Sequence, residues 1–155
     1  MSAALSPLLQ SIHDSAPGEL VRDVFWVFPT LETLHFIGMA MLFGVVVVID
    51  LRVIGVLRGP SVAELHRFLP MAFIGFVINL ASGLLCFAAD PAAYAFNAAF
   101  RFKMLCILLA GLNALWFRYN DPSKTPALVA SVLSILLWLA VIAGGRIIPY
   151  VSGAR

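Results

Sequence analysis

The chain has 155 residues, 62% of them hydrophobic and 12% charged, with a net charge of +2 and a mean hydropathy of +1.00. A soluble domain carries about 25% charged residues, so this composition excludes a water-covered globule and turns most of the surface toward lipid. The ten Lys and Arg residues fall mostly at the ends of apolar runs. Positive-inside bias and snorkelling place them there, so the basic balance does not point to nucleic acid.

In chain order, Leu5, Leu8, Leu9 and Ile12 recur at helical spacing with Ser6, Gln10 and Ser11 between them. They predict a short N-terminal amphipathic helix lying in the membrane interface, ended by Ser15-Ala16-Pro17-Gly18. Met1 to Ile12 has neither a basic n-region nor a long apolar h-region, so this stretch reads as retained rather than as a signal peptide. Glu19 to Phe28 leads into the bilayer, with Phe25, Trp26 and Phe28 suited to the headgroup layer.

Four apolar stretches follow, each near the roughly 20 residues that cross a bilayer, over about 29–55, 69–89, 98–117 and 126–148. Pro29 suits the first turn of the first span, and Asp50 and Arg52 mark its far end. Arg58-Gly59-Pro60-Ser61 is a loop, and Glu64-Leu65-His66-Arg67 leads into the second span. Gly75, Asn79 and Gly83, four apart and joined by Ser82, form a small and polar stripe on which another helix can pack closely. Asp90-Pro91 ends the second span and Asn120-Asp121-Pro122 the third. The fold class expected is all-α: one integral membrane four-helix bundle over 1–155, with no second domain.

Four crossings put both termini on one side. The loops on the opposite side hold Arg52, Arg58, Arg67, Arg118 and Lys124; the terminal side holds Arg22, Arg101, Lys103, Arg146 and Arg155. The counts tie, but three of the terminal-side cations lie within helix ends rather than loops, which favours both termini outside.

Ionisable groups inside a membrane are candidate functional groups by default. Glu32 and His35, three apart, share a face of the first span. Arg101 and Lys103 enter at the start of the third, Arg146 sits near the end of the fourth after Gly144-Gly145, and Asp90 lies just past the second. All four helices thus contribute to one polar layer. The helix macrodipole disfavours cations at an N-terminus, so Arg101 and Lys103 call for an anionic neighbour: Glu32, Asp90, a lipid phosphate, a haem propionate or an acidic ligand. Arg146 is expected to pair with Glu32 or Asp90, and Asp50 with a helix-end cation such as Arg118 or Arg67.

His35 is the central residue, and simple hydrogen-bonded packing competes with three functional readings. As an axial ligand to haem b it needs a second ligand; His66 lies at the opposite face, leaving His13 or Met104. Glu32-Thr33-Leu34-His35 is a Glu-x-x-His unit such as di-iron bundles use, but the second unit and two further carboxylates are missing, which excludes di-iron. Finally, His35 with Glu32 could accept protons from, or hydrogen-bond, a quinone headgroup. Cys86 and Cys106 lack metal or redox spacing and read as small apolar residues. With no nucleophile–base pair, phosphate loop or CxxC, a free-standing enzyme is not expected.

Phe28-Pro29-x-x-Glu32-x-x-His35-x-x-Gly38 with Asp50-Leu51-Arg52, Phe100-Arg101-x-Lys103 leading to Gly111-Leu112-Asn113, and Gly145-Arg146 together resemble a family of small bacterial four-helix membrane proteins carrying a domain of unknown function. A fainter likeness is to the membrane domain of copper-resistance D proteins. The first implies fold and an inner-membrane location; the second implies copper or haem, although a Met-rich or His-rich copper relay is lacking.

The expected function is therefore a small membrane redox or ligand-binding module around His35. Glu32 would orient the imidazole, while Arg101, Lys103 and Arg146 would hold an anionic group. Lipid, a membrane or periplasmic redox partner and a second copy of the chain are the expected associates. The rivals are a non-catalytic membrane subunit or scaffold, and a permease for metal ions or small solutes.

Overall fold

The computed structural model describes residues 2–119 and 124–152. It is 89% helix, with no strand among the described residues. The elements are α1 (Ser2–His13), α2 (Ala16–Asp23), α3 (Val27–Ile54), α4 (Val62–Leu65), a single 3₁₀ turn (His66–Phe68), α5 (Leu69–Ala89), α6 (Pro91–Ala95), α7 (Ala98–Tyr119) and α8 (Lys124–Ser152). Four helical segments are long and apolar enough to cross a membrane: Val27–Ile54, Val62–Ala89, Ala98–Phe117 and Pro126–Val151. They coincide with the four runs read from the sequence. The Asn120-Asp121-Pro122 stop and Arg155 lie outside the described residues, as do the side chains of Arg118 and Lys124.

Ser15 does more than end α1, because its hydroxyl accepts from the Gly18 N–H at 3.4 Å and starts a second helix with Pro17 in its first turn. The lead-in expected over Glu19 to Phe28 is thus partly helical. It is anchored by Arg22 Nη1, which donates to the carbonyls of His13 (2.7 Å) and Ala89 (3.3 Å). Val21, Val27 and Leu31 then pack with Leu85 and Cys86, tying α2 and α3 to the end of α5.

At its far end α3 stops at Gly55, whose φ of 91° is left-handed and returns its N–H to the carbonyls of Arg52 and Leu51. Arg52 is drawn back over this turn, donating from Nε to the Pro60 carbonyl at 2.6 Å and from Nη1 to Leu57 at 3.2 Å. Ser61 and Glu64 form a reciprocal capping box at the start of α4. The Glu64 carboxyl lies below its ordinary value of 4.5, held by the Ser61 N–H and hydroxyl.

The long helices form two hairpins. α3 packs chiefly on α5 and α7 chiefly on α8; α3 and α8 join the hairpins, while α5 and α7 meet where the Phe87 and Phe100 rings stack at 5.8 Å. The α3–α5 seam runs through the small-residue stripe. A Cβ added at Gly38 would lie 2.7 Å from the Gly75 carbonyl oxygen and 2.6 Å from Asn79 Nδ2, and one at Gly75 only 2.6 Å from the Gly38 carbonyl oxygen. Backbone therefore meets backbone here, and only glycine fits. Further toward the loops, Leu42, Val45 and Ala72 form an apolar layer with Val46, Ile49 and Trp138.

Candidate functional site

His35 lies on the α3–α5 seam and is half-buried. Its Nδ1 stands 2.9 Å from Ser82 Oγ on α5. The Ser82 hydroxyl has one proton, and its short bond to the Ile78 carbonyl, 2.7 Å, uses it. Ser82 Oγ must then accept from Nδ1–H, which assigns the tautomer and leaves the lone pair of Nε2 outward. Nε2 has no hydrogen bond among the described residues. The ring lies against Gly83, where a Cβ would come 3.4 Å from Cε1, and Asn79 Nδ2 donates to the His35 carbonyl at 3.2 Å. Together these contacts fix both backbone and ring.

Lys103 approaches from the other hairpin. Instead of snorkelling outward, its chain lies along the glycines of α8: a Cβ at Gly145 would sit 3.4 Å from Nζ and 3.8 Å from Cδ and Cε. The side chain is half-buried, and its charge acts on His35 and on Cys86. Among the described residues Nζ has no hydrogen-bond or ion-pair partner. The glycine pair leaves room for this, since a Cβ at either position would already be in van der Waals contact with the Lys103 side chain.

The other predicted site residues stand outside this pair. Glu32 is exposed on the rim. It makes no hydrogen bond to His35, so the group that orients the imidazole is Ser82 and not Glu32. Its charge reaches Cys86 and Tyr94. Arg101 is exposed, and Arg146 turns outward over the Tyr150 ring at 5.7 Å rather than pairing with Glu32 or Asp90. Asp90 caps α6 through the Ala93 N–H at 3.0 Å. Among the described residues the one ion-pair contact is His13 with Asp14. Of the three cations expected in the polar layer, Lys103 acts on His35, while Arg101 and Arg146 are exposed.

Four residues near this centre carried no distinctive signal in the sequence. Asn97 caps α7, its Oδ1 accepting from the Ala99 and Phe100 N–H groups at 2.9 and 3.1 Å, while Nδ2 donates to the Ile148 carbonyl at 3.0 Å. This neutral cap, and not an anion, receives the N-terminus on which Arg101 and Lys103 ride. Tyr94 closes the end of the bundle with Phe87 and Phe100, at ring separations of 5.4–6.2 Å. Burial pushes its phenol up, and Cys86, Glu32 and Asp90 add to that. Cys86 is a free thiol beneath this lid, and Ser82 has been described above.

Comparison of the chain with family models, with curated proteins and with solved structures finds no match.

The donor set can therefore be judged only by its own chemistry. No group of three or more His, Cys, Asp or Glu able to hold a metal ion occurs among the described residues. For a haem ligated on both sides, His35 lacks a partner among the described residues. His13 is engaged with Asp14 at 3.0 Å, Met104 is 47% exposed on the outer face of α7, and His66 is exposed near the loops. The residues present do not fit that group. They do provide one fixed acceptor, His35 Nε2, and one fixed cationic donor, Lys103 Nζ, on facing hairpins.

Proposed function

We propose that the chain is a multi-pass protein of the bacterial inner membrane, termini periplasmic, whose His35–Lys103 pair binds the polar headgroup of a lipid-soluble carrier of the quinone class. The observation that carries this reading is the tautomer: Ser82 occupies Nδ1–H and so commits Nε2 to accept. A quinol-type headgroup offers a hydroxyl that needs such an acceptor and an oxygen that needs a donor, and Lys103 supplies the second. Hydrogen bonds to charged groups contribute about 1.5–3 kcal/mol, enough for specificity in a headgroup whose tail is held by lipid. The lightly packed edge between α5 and α7, closed at one end by Phe87 on Phe100, suits lateral entry of that tail, and the outward Arg101 and Arg146 suit lipid phosphates.

The rival readings draw less support. A scaffold held by ion pairs among Glu32, Asp90, Arg101 and Arg146 lacks those pairs among the described residues. A solute path would have to pass the Leu42, Val45 and Trp138 layer.

Titration of the detergent-solubilised protein with a short-tailed benzoquinol, followed calorimetrically, tests the proposal. Saturable binding is expected, weakened at least about ten-fold, or ~1.4 kcal/mol, by His35→Asn and by Lys103→Met, and unchanged by Arg101→Gln. Absence of saturable binding, or equal affinity in all variants, overturns it.

A further inference from the structure

Asp50 stands near the far end of α3, about 22 Å along the helix from His35, and takes no part in the site above. It is 8% exposed, and Ser131 and Ser134, which face it from α8, are 1% and 8% exposed. Asp50 Oδ2 and Ser131 Oγ are both enclosed and without a partner. The expected pairing with a helix-end cation is not made by any described residue. On its own helix Arg52 is spent on the Pro60 and Leu57 carbonyls. In the neighbouring turn Arg67 lies over the Phe68 ring, Glu64 is bound to Ser61, and His66 is exposed. α5 has no Asp, Glu, Lys or Arg, and α8 has none from Pro126 to Gly145.

A bare carboxylate enclosed in this way is strongly unfavourable, and so is a buried hydroxyl oxygen with no partner. The Ser131 hydroxyl has its own proton, so a hydrogen bond between the two atoms can run either way, but only an added proton also removes the enclosed charge. We propose that Asp50 is a proton-binding site between α3 and α8, in which the carboxylic acid carries its proton on Oδ2 and donates it to Ser131 Oγ. Binding adds one proton to the carboxylate, and release returns that proton to water at the loop end. A hard metal ion fits the donor set less well: Ca²⁺ takes about 6–8 oxygens, and here one carboxyl and two hydroxyls converge. The site lies where α3 and α8 join the two hairpins.

Infrared spectra of the reconstituted full chain at about pH 7, where exposed carboxyls are ionised, test this directly. The carbonyl stretch of a protonated carboxyl is expected in the native protein, lost in Asp50→Asn and shifted to higher frequency in Ser131→Ala. Asp50→Asn replaces the acid by a neutral donor of the same shape, so its helical content and melting temperature should stay close to the native ones. A native spectrum without the band, a band that persists in Asp50→Asn, or a band that disappears when choline is exchanged for Na⁺ overturns the proposal.

Discussion

The two seams made by α3 differ in kind. Against α5 it is joined by glycine backbones in contact, by Asn79 bridging to the His35 carbonyl and by Ser82 bound to the His35 ring. Against α8, near the apolar layer around Trp138, it presents the enclosed Asp50 carboxyl opposite Ser131 and Ser134, with Asp50 Oδ2 and Ser131 Oγ unpartnered. The first seam is closed by contacts the chain makes itself, with Asn79 Oδ1 left enclosed and unpartnered; the second, under the proposal above, is completed by a bound proton.

The strongest way to break this contrast is to crowd the first seam. Gly38→Leu would drive a side chain into the Gly75 carbonyl, 2.7 Å from the new Cβ. It should cost about 3 kcal/mol or more, read as a large fall in melting temperature in detergent, whereas Gly44→Leu meets open space and should be nearly neutral.

A smaller effect sharpens the assignment at the site. Ser82→Ala removes the acceptor from His35 Nδ1–H and should cost about 1 kcal/mol. Its decisive readout is ¹⁵N NMR of labelled histidine. The native protein should show His35 protonated at Nδ1 and bare at Nε2, and the variant a mixture of tautomers; a native Nε2–H form would contradict the proposed acceptor.

The smallest effect lies at the loop end, away from both seams. Ser61→Ala breaks the capping box and should cost about 1 kcal/mol or less. Glu64 is depressed below 4.5 in the folded chain, so its contribution is present above that value and is lost as pH falls through the folded value. The difference in melting temperature between native protein and Ser61→Ala should therefore shrink as the pH drops below 4.5, and a constant difference would separate Glu64 from the cap.

Much of the scaffold was legible in the residues. Uninterrupted apolar runs bounded by Pro, Asp and Arg located the four long helices to within a few positions, and Gly75, Asn79 and Gly83 at intervals of four marked the face that α3 covers. The site was legible only in depth. Arg101 and Lys103 share a level but are two residues apart, roughly 200° around the helix, so when one faces the bundle the other faces away. Gly144 and Gly145 admit Lys103 to the interior and leave Arg146 turned outward. Glu32 precedes His35 by less than a turn, yet it falls on the exposed edge while Ser82 reaches the ring. A carboxylate and an imidazole at helical spacing looked like a pair, but the partner came from another helix.

By itself the sequence determined where the helices run and which ionisable groups share a level, because hydropathy and rise per residue depend only on local chain order. The tertiary structure decided which of those groups meet. That choice depends on how each helix is rotated about its axis, and the rotation is set by packing of small residues on distant helices. The same packing set Asp50 against Ser131 and Ser134, with no cation beside it among the described residues, which no spacing along α3 could reveal.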